Sequence, residues 1–487
     1  MVIASIAVYF AILIGISYLS TRKGSSGADF FRGSHSSPWP VVAIAMVGTS
    51  ISGVTFISVP GMVRVSAFSY LQMALGFIAG YAVIAYVLLP LYYRMNANSL
   101  YTWIGERFGG YTYKTAALFF ILSKVLGCSV RMFLTASVLQ LLVFDPLGVP
   151  FALNVLVSMF VVWLYTFRGG VKTLVWADMF QTLCMIAAVV LCIFFVGSSM
   201  GLDFRGLCST VSSSPMSRVF FFDDVRDSRN FFKQFFAGMF TTIAMTGLDQ
   251  DMMQKNLSCK SLKAARKNVL SYGSAFLPVN FLFLCLGVLL YAFASSKGIV
   301  IDNPDELFPT IACGRSADGT LLMPPVVGVT FVLGLVSSAF SSSGSALTAL
   351  TTSFTVDFLK ADRRQSEKRL ARTRLIVHSA WALVLGVFIL LFSSLKGSSV
   401  IDAVYTIAGY TYGPLLAIFG LGLFTRLRPR EGWVPVICVI SPLLSLMLSL
   451  NSERWLGGYR MGFELLIVNS IICFFLLFLS SIGRSRA

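Results

Sequence analysis

Apolar runs of roughly 20 residues, long enough to cross the hydrocarbon core of a bilayer as helices, recur along this chain with short polar interruptions. They predict thirteen helices, near 2-20, 39-62, 69-93, 113-143, 150-168, 174-200, 229-254, 269-296, 323-357, 373-395, 400-425, 432-451 and 462-483. Two of these spans are locally unsuited to a regular helix. In the second, Gly48-Thr49-Ser50-Ile51-Ser52-Gly53 puts small and β-branched residues at mid-membrane depth, and in the seventh Gly247-Leu248-Asp249-Gln250-Asp251 follows an apolar run. Each alone could be an ordinary kink. As a pair five spans apart, they fit broken helices that open two five-helix repeats of inverted topology, about 39-200 and 229-425. One extra helix precedes the repeats, and two follow over about 432-483.

Composition agrees with this pattern. With 56% hydrophobic and 12% charged residues and a mean hydropathy of +0.80, the chain falls far from soluble domains, which carry about 25% charged residues. The expected fold class is an all-α polytopic membrane protein with no soluble second domain. The net charge of +17 does not point to nucleic acid, because the basic residues sit in short segments between spans rather than on a solvated face. Topology accounts for them instead. With the N-terminus outside, most of the 38 Lys and Arg fall in inner segments, among them Arg22, Lys23, Lys255, Lys260, Lys263, Arg266, Lys267, Lys360, Arg363 and Arg364. A missed helix in the middle would invert the later loops and destroy this bias. The expectation is a multi-pass plasma-membrane protein, N-terminus outside and C-terminus inside. The first apolar stretch meets Arg22 and Lys23 only after it ends, the reverse of a cleavable signal peptide, and is expected to stay as a helix.

The nine Cys show no C-x-x-C spacing, and the two histidines, His35 and His378, are too few for a His-based metal centre. Cys208 and Cys313 both fall in predicted outer loops and could pair. His378 reads as a satisfied helix histidine.

Ionisable residues within spans are costly, about 2.5 to 3.5 kcal/mol each, and so mark functional candidates. Arg131 lies well inside the fourth span and could bind a solute carboxylate bidentately, or pair with an acidic side chain. Asp178, near the start of the sixth, could complete a cation site or hold the bundle together. Lys124, seven residues before Arg131 and near an end, is expected to snorkel. In the ninth span, Ser337-Ser338-Ala339-Phe340-Ser341-Ser342-Ser343-Gly344-Ser345 sets a band of hydroxyls at membrane depth. Small residues pack helices closely, but such a band also supplies the oxygen ligands that a hard cation such as Na⁺ needs when it sheds water.

In order and spacing, these residues resemble the sodium:solute symporter family over about residues 30 to 430. The motifs are Phe30-Phe31-Arg32-Gly33 through Pro38-Trp39; Phe56-Ile57-Ser58-Val59-Pro60-Gly61; Gly169-Gly170 with Trp176-Ala177-Asp178 and Gln181; Asp249-Gln250 with Gln254 and Lys260-Ser261; Ser341-Ser342 with Thr355-Val356-Asp357; and Gly413-Pro414-Leu415. The resemblance implies a leucine-transporter-type 5+5 inverted repeat and alternating access driven by Na⁺. It implies sodium ligands at Gly48 and Ile51 on the broken helix and at Ser338, Ser341 and Ser342 on the eighth core helix. A second sodium, held by some members, would use Asp178 and Ser345, with Gly344 standing where those members have a serine. Solute positions fall on Ser50, Ser52, Thr55 and Arg131, with Gln72 and Asp249 as further polar contacts. The small-hydroxyl pattern with an arginine is similar to the sialic acid transporters, which makes a carboxylated sugar the first solute expected and a neutral sugar, amino acid or monocarboxylate the alternatives. The function expected is therefore secondary active symport rather than catalysis. A membrane-embedded glycosyl or acyl transferase would need reactive groups at the interface, and a transporter-like sensor would carry a fused signalling domain. The partners implied are Na⁺, a small solute and the bilayer, with no nucleic acid and no obligate protein partner.

Overall fold

A computed structural model describes residues 2–21, 30–31, 36–95, 99–167, 170–315, 319–394 and 400–482. The described residues are helical throughout, without a sheet. We number the main helices in chain order: α1 Val2–Thr21, α2 Trp39–Ser50, α3 Gly53–Ser66, α4 Tyr70–Met95, α5 Gly110–Leu147, α6 Phe151–Thr166, α7 Gly170–Ser199, α8 Phe231–Thr242, α9 Gln250–Leu257, α10 Leu262–Ser296, α11 Pro325–Phe358, α12 Glu367–Phe392, α13 Val400–Phe424, α14 Glu431–Leu450 and α15 Leu465–Ser481. Eight of them are long and apolar enough to cross a membrane, nine if α2 and α3 form one bent span, and shorter apolar helices lie at Ala4–Ser20, Phe151–Thr166 and Leu465–Ser481. Each of the thirteen stretches expected from the sequence contains a helix or a broken pair. Where the bounds differ, capping decides. α10 begins at Leu262 rather than 269 because the Ser261 hydroxyl accepts the Ala264 N–H, and the helix then runs on through Lys263, Arg266 and Lys267.

Both expected breaks are present. α2 and α3 meet at an angle of 61° across Ile51 and Ser52. α8 runs through a π-helical turn, Ile243–Gly247, and stops; α9 starts after Asp249, whose carboxylate accepts the N–H groups of Asp251 (2.9 Å) and Met252 (3.4 Å). Four continuous helices follow each broken pair, α4 to α7 and α10 to α13. The flanks of the two pairs are joined, since Ser37 N–H donates to the Ser258 carbonyl at 3.0 Å.

α7 packs extensively against both α2 and α11, α5 packs on α11 and α13, and α1 packs on α7. α4 and α8 approach backbone to backbone. A Cβ at Gly76 would lie 2.0 Å from the Phe235 carbonyl oxygen, and one at Gly238 would lie 2.2 Å from that of Met73. Small residues at such crossings let dispersion contacts form where lipid supplies no hydrophobic drive.

His378 takes Thr166 and Thr351 hydroxyls at 2.9 and 2.8 Å, as a satisfied helix histidine. His35 lies outside the described residues. Cys208 and Cys313 are free thiols: Cys208 belongs to a short helix, Phe204–Ser212, that packs on α10, and Cys313 sits against Gly328 of α11.

Gly238→Ala is expected to destabilise the protein by about 1–3 kcal/mol through overpacking. Gly127→Ala, whose Cβ meets nothing within 4 Å, should stabilise it by about 0.5–1 kcal/mol; thermal unfolding of the purified variants checks both signs.

Candidate solute and sodium site

The first break leaves backbone oxygens without their helical partners. Ile51 N–H closes on the Val47 carbonyl at 2.9 Å and the ladder resumes with Phe56 N–H on Ser52, but Ser52 N–H does not reach Gly48, nor Thr55 N–H Ile51. Carbonyls freed at membrane depth persist only where protein or a polar cavity surrounds them. Here α7 and α11 do so. A Cβ at Gly48 would lie 2.0 Å from Thr182 Oγ1, and one at Gly53 would lie 3.3 Å from the Ala339 side chain on the serine-rich helix α11. Thr182 in turn donates to Ile44 O or Asp178 O, fixing α2 on α7.

Beside the break, the Asp178 carboxylate is fully buried and gathers donors from three other helices. Ser341 donates to Oδ1 at 2.8 Å; Lys255 Nζ (2.6 Å), Ser345 (3.1 Å) and Thr49 (3.2 Å) reach Oδ2. The Lys255 ammonium also bonds Ser345 Oγ at 2.6 Å and the Thr49 hydroxyl, and its side chain is only 1% exposed. Lys255 is therefore not an inner-loop residue: it is the sixth residue of α9 and points into the core. Lys255 lies beyond the apolar run, where a loop is expected, but the break restarts a buried helix of polar sequence there.

A cavity of about 130 Å³ is bounded by the first break, α4, α5, the α8–α9 break, α10, α11 and α13. Ser50, Ser52, Thr55, Arg131, Asp249 and Ser342 all line it. Ser50 shares a hydrogen bond with Tyr272, which also receives the Tyr81 hydroxyl at 2.6 Å. On the opposite wall Lys124 Nζ lies 2.9 Å from both Asp249 and Asp251, and Tyr412 donates to Asp249. Lys124 thus does not snorkel; two buried carboxylates hold it inward. Arg131 makes no ion pair and no side-chain hydrogen bond with any described residue, although it is half-buried in the same wall.

A model of the sodium:solute symporter family matches residues 30–432. The chain belongs to this family. Among its relatives, the human sodium/iodide cotransporter is 24% identical over 84% of this chain and 63% of its own length. Human sodium-coupled monocarboxylate transporter 2 is 26% identical over 86% and 66%, and the sodium/sialic acid symporter NanT of Aliivibrio fischeri is 21% identical over 86% and 82%. The chain spans about two thirds of the length of the two human proteins. Its fold matches that of a Na⁺-coupled sialic acid symporter solved in a substrate-bound outward-open state, with a TM-score of 0.84 at 17% identity over 100% of this chain and 98% of the other. The nucleobase-cation-symport-1 family transporter Mhp1 matches with a TM-score of 0.52 at 14% identity. The architecture is of the leucine-transporter type.

In this sodium:solute symporter family member, the structure brings the break of α2–α3 and Ser341 together at one carboxylate, with Ser342 on the cavity wall. Ser338 and Ser342 back-bond to Leu335 O and Ala339 O at 2.9 and 3.0 Å, which leaves their oxygen lone pairs free. Gln72 is placed elsewhere. It is fully buried away from the cavity, donating to Arg229 O (2.7 Å) and accepting from Phe221 N–H (3.1 Å), so it staples the segment 218–230 to α4. Asp249 lines the cavity, but its oxygens already serve the α9 cap, Lys124 and Tyr412. Sequence reasoning missed Lys255. The available signal was Asp178 itself, an intramembrane acid that needs a cation.

Lys124→Met strands two buried carboxylates and should cost about 3–5 kcal/mol of stability. Arg131→Met, which removes a charge without a partner, should leave stability within about 1 kcal/mol of the parent, as measured by unfolding in one detergent.

Proposed function

We propose that this protein is a sodium-coupled secondary active symporter that imports a small carboxylate by alternating access. The observation that carries the reading is Arg131, a cation facing a cavity between two broken helices with every neighbouring carboxylate already engaged. A half-buried cation in a membrane span, left without a protein partner, marks a functional position, and an anionic solute supplies the partner through a bidentate guanidinium–carboxylate contact. Ser50, Ser52 and Thr55 offer hydroxyls to the rest of the solute. The named cargoes of the relatives, iodide, monocarboxylate and sialic acid, are all anions, which supports the same reading. A cavity of about 130 Å³ is below the ~300–1,000 Å³ of sites for drug-sized ligands. It suits a short monocarboxylate as it stands and would have to widen for a sugar acid.

Na⁺ in this reading takes the carbonyls of Gly48 and Ile51 with Ser338, Ser341 and Ser342, and ties the break to α11. Tying them shifts the population toward the arrangement that binds solute. The moving parts are two inverted repeats, about 39-200 and 229-425. The chain sits in the plasma membrane with its N-terminus outside and C-terminus inside, and it works with Na⁺, solute and lipid without an obligate protein partner.

Uptake into proteoliposomes with and without an inward Na⁺ gradient, across a monocarboxylate, sialic acid, galactose and proline, tests this. Sodium-driven accumulation of a carboxylate is expected; accumulation of a neutral solute alone would return Arg131 to a structural role. Arg131→Ala should lower carboxylate uptake by at least about tenfold, the loss of one charge-assisted hydrogen bond. Ser342→Ala should raise the Na⁺ concentration for half-maximal uptake several-fold with little change in folding, and an unchanged Na⁺ dependence would remove Ser342 from the ion site.

A further inference from the structure

The place where a second cation would bind is already filled by the protein. Asp178 and Ser345 are the residues a second Na⁺ would use, and Lys255 Nζ lies 2.6 Å from each. Ser341 also donates to the Asp178 carboxylate, and Thr49 donates either to it or to Ala45 O, so three or four donors fill most of its lone-pair sites. The remaining position adds no oxygen. Gly344 has no side-chain oxygen, and the Tyr165 hydroxyl stands 2.1 Å from where its Cβ would be, donating to Phe340 O at 2.5 Å.

We propose that the Lys255 ammonium is the resident cation of this second site, so that the protein binds one Na⁺ and couples one Na⁺ to each solute. The inference rests on the symport reading above and specifies its stoichiometry. Lys255 does the structural work of an ion, joining α2, α7, α9 and α11 through Thr49, Asp178 and Ser345, but being covalently tethered it contributes nothing to the driving gradient. Charge balance agrees. Around the cavity and the first break, Asp178, Asp249 and Asp251 stand against Lys124, Lys255 and Arg131, and their charges cancel. A monoanionic solute then adds one negative charge, which one Na⁺ neutralises; a second Na⁺ would leave the buried site positive, a costly state away from water.

Equilibrium binding of radiolabelled Na⁺ to the purified, folded protein without solute decides the matter, beside the Na⁺-to-solute flux ratio in proteoliposomes. The parent should bind one Na⁺ per chain with a Hill coefficient of about 1. Lys255→Ala, which removes the charge and opens the space that the ammonium fills beside Asp178, Ser345 and Thr49, should bind two and double the flux ratio, and Lys255→Ala with Asp178→Asn should return to one. Two ions on the parent protein would overturn the proposal even if every variant failed to fold, as would folded Lys255→Ala that still binds one. No Na⁺ bound by the parent would sink the symport reading itself and this inference with it, an outcome distinct from two ions.

Discussion

One carboxylate organises the centre of this molecule. Asp178 cannot remain charged in the interior without partners, and the partners it collects come from α2, α9 and α11, so a single electrostatic requirement fixes how four helices meet. Removing one member of such a buried pair costs about 3–5 kcal/mol, while its net contribution when intact is much smaller. Its value is therefore positional. With α2 pinned to α7 through Thr49 and Thr182, the break that follows can release its carbonyls at a defined place beside the serines of α11.

The second constraint is the way charge is distributed around the cavity. Lys124 holds Asp249 and Asp251 together on one wall, and Asp249 also caps α9 and receives Tyr412. That cluster stabilises the second break in the way that Asp178 stabilises the first. Arg131 is what remains after these pairings: it lines the same cavity without an ion pair to any described residue. In the reading proposed above, engaged charges define the scaffold and Arg131 is left to meet the solute.

Much of this was legible in the chain before any fold was known. Both breaks were marked by runs of small, polar residues in otherwise apolar spans, Arg131 by its charge and Ser342 by its place in a hydroxyl band at a depth where polarity is costly, while Ser50, Ser52, Thr55 and Gln72 followed from the family resemblance. Gln72 serves a different end, tying the segment 218–230 to α4, because a matched motif position does not say which partner a buried side chain meets. Lys124 and Lys255 were misplaced for a related reason. Each lies close enough to a span end that its long side chain could turn toward water or inward, and only the carboxylates brought from other helices settle the direction.

Hydropathy period, span length and the placement of glycine and hydroxyl residues determined the helices, their order and their breaks, since those follow from local backbone hydrogen bonding and transfer of side chains into lipid. Which charges pair was decided by tertiary structure alone. Asp178 and Lys255 are 77 residues apart, and Lys124 and Asp249 are 125 apart, separations across which sequence carries no geometric information. Coulomb attraction in a low-dielectric interior acts on distance in space, and that distance exists only once the helices have packed.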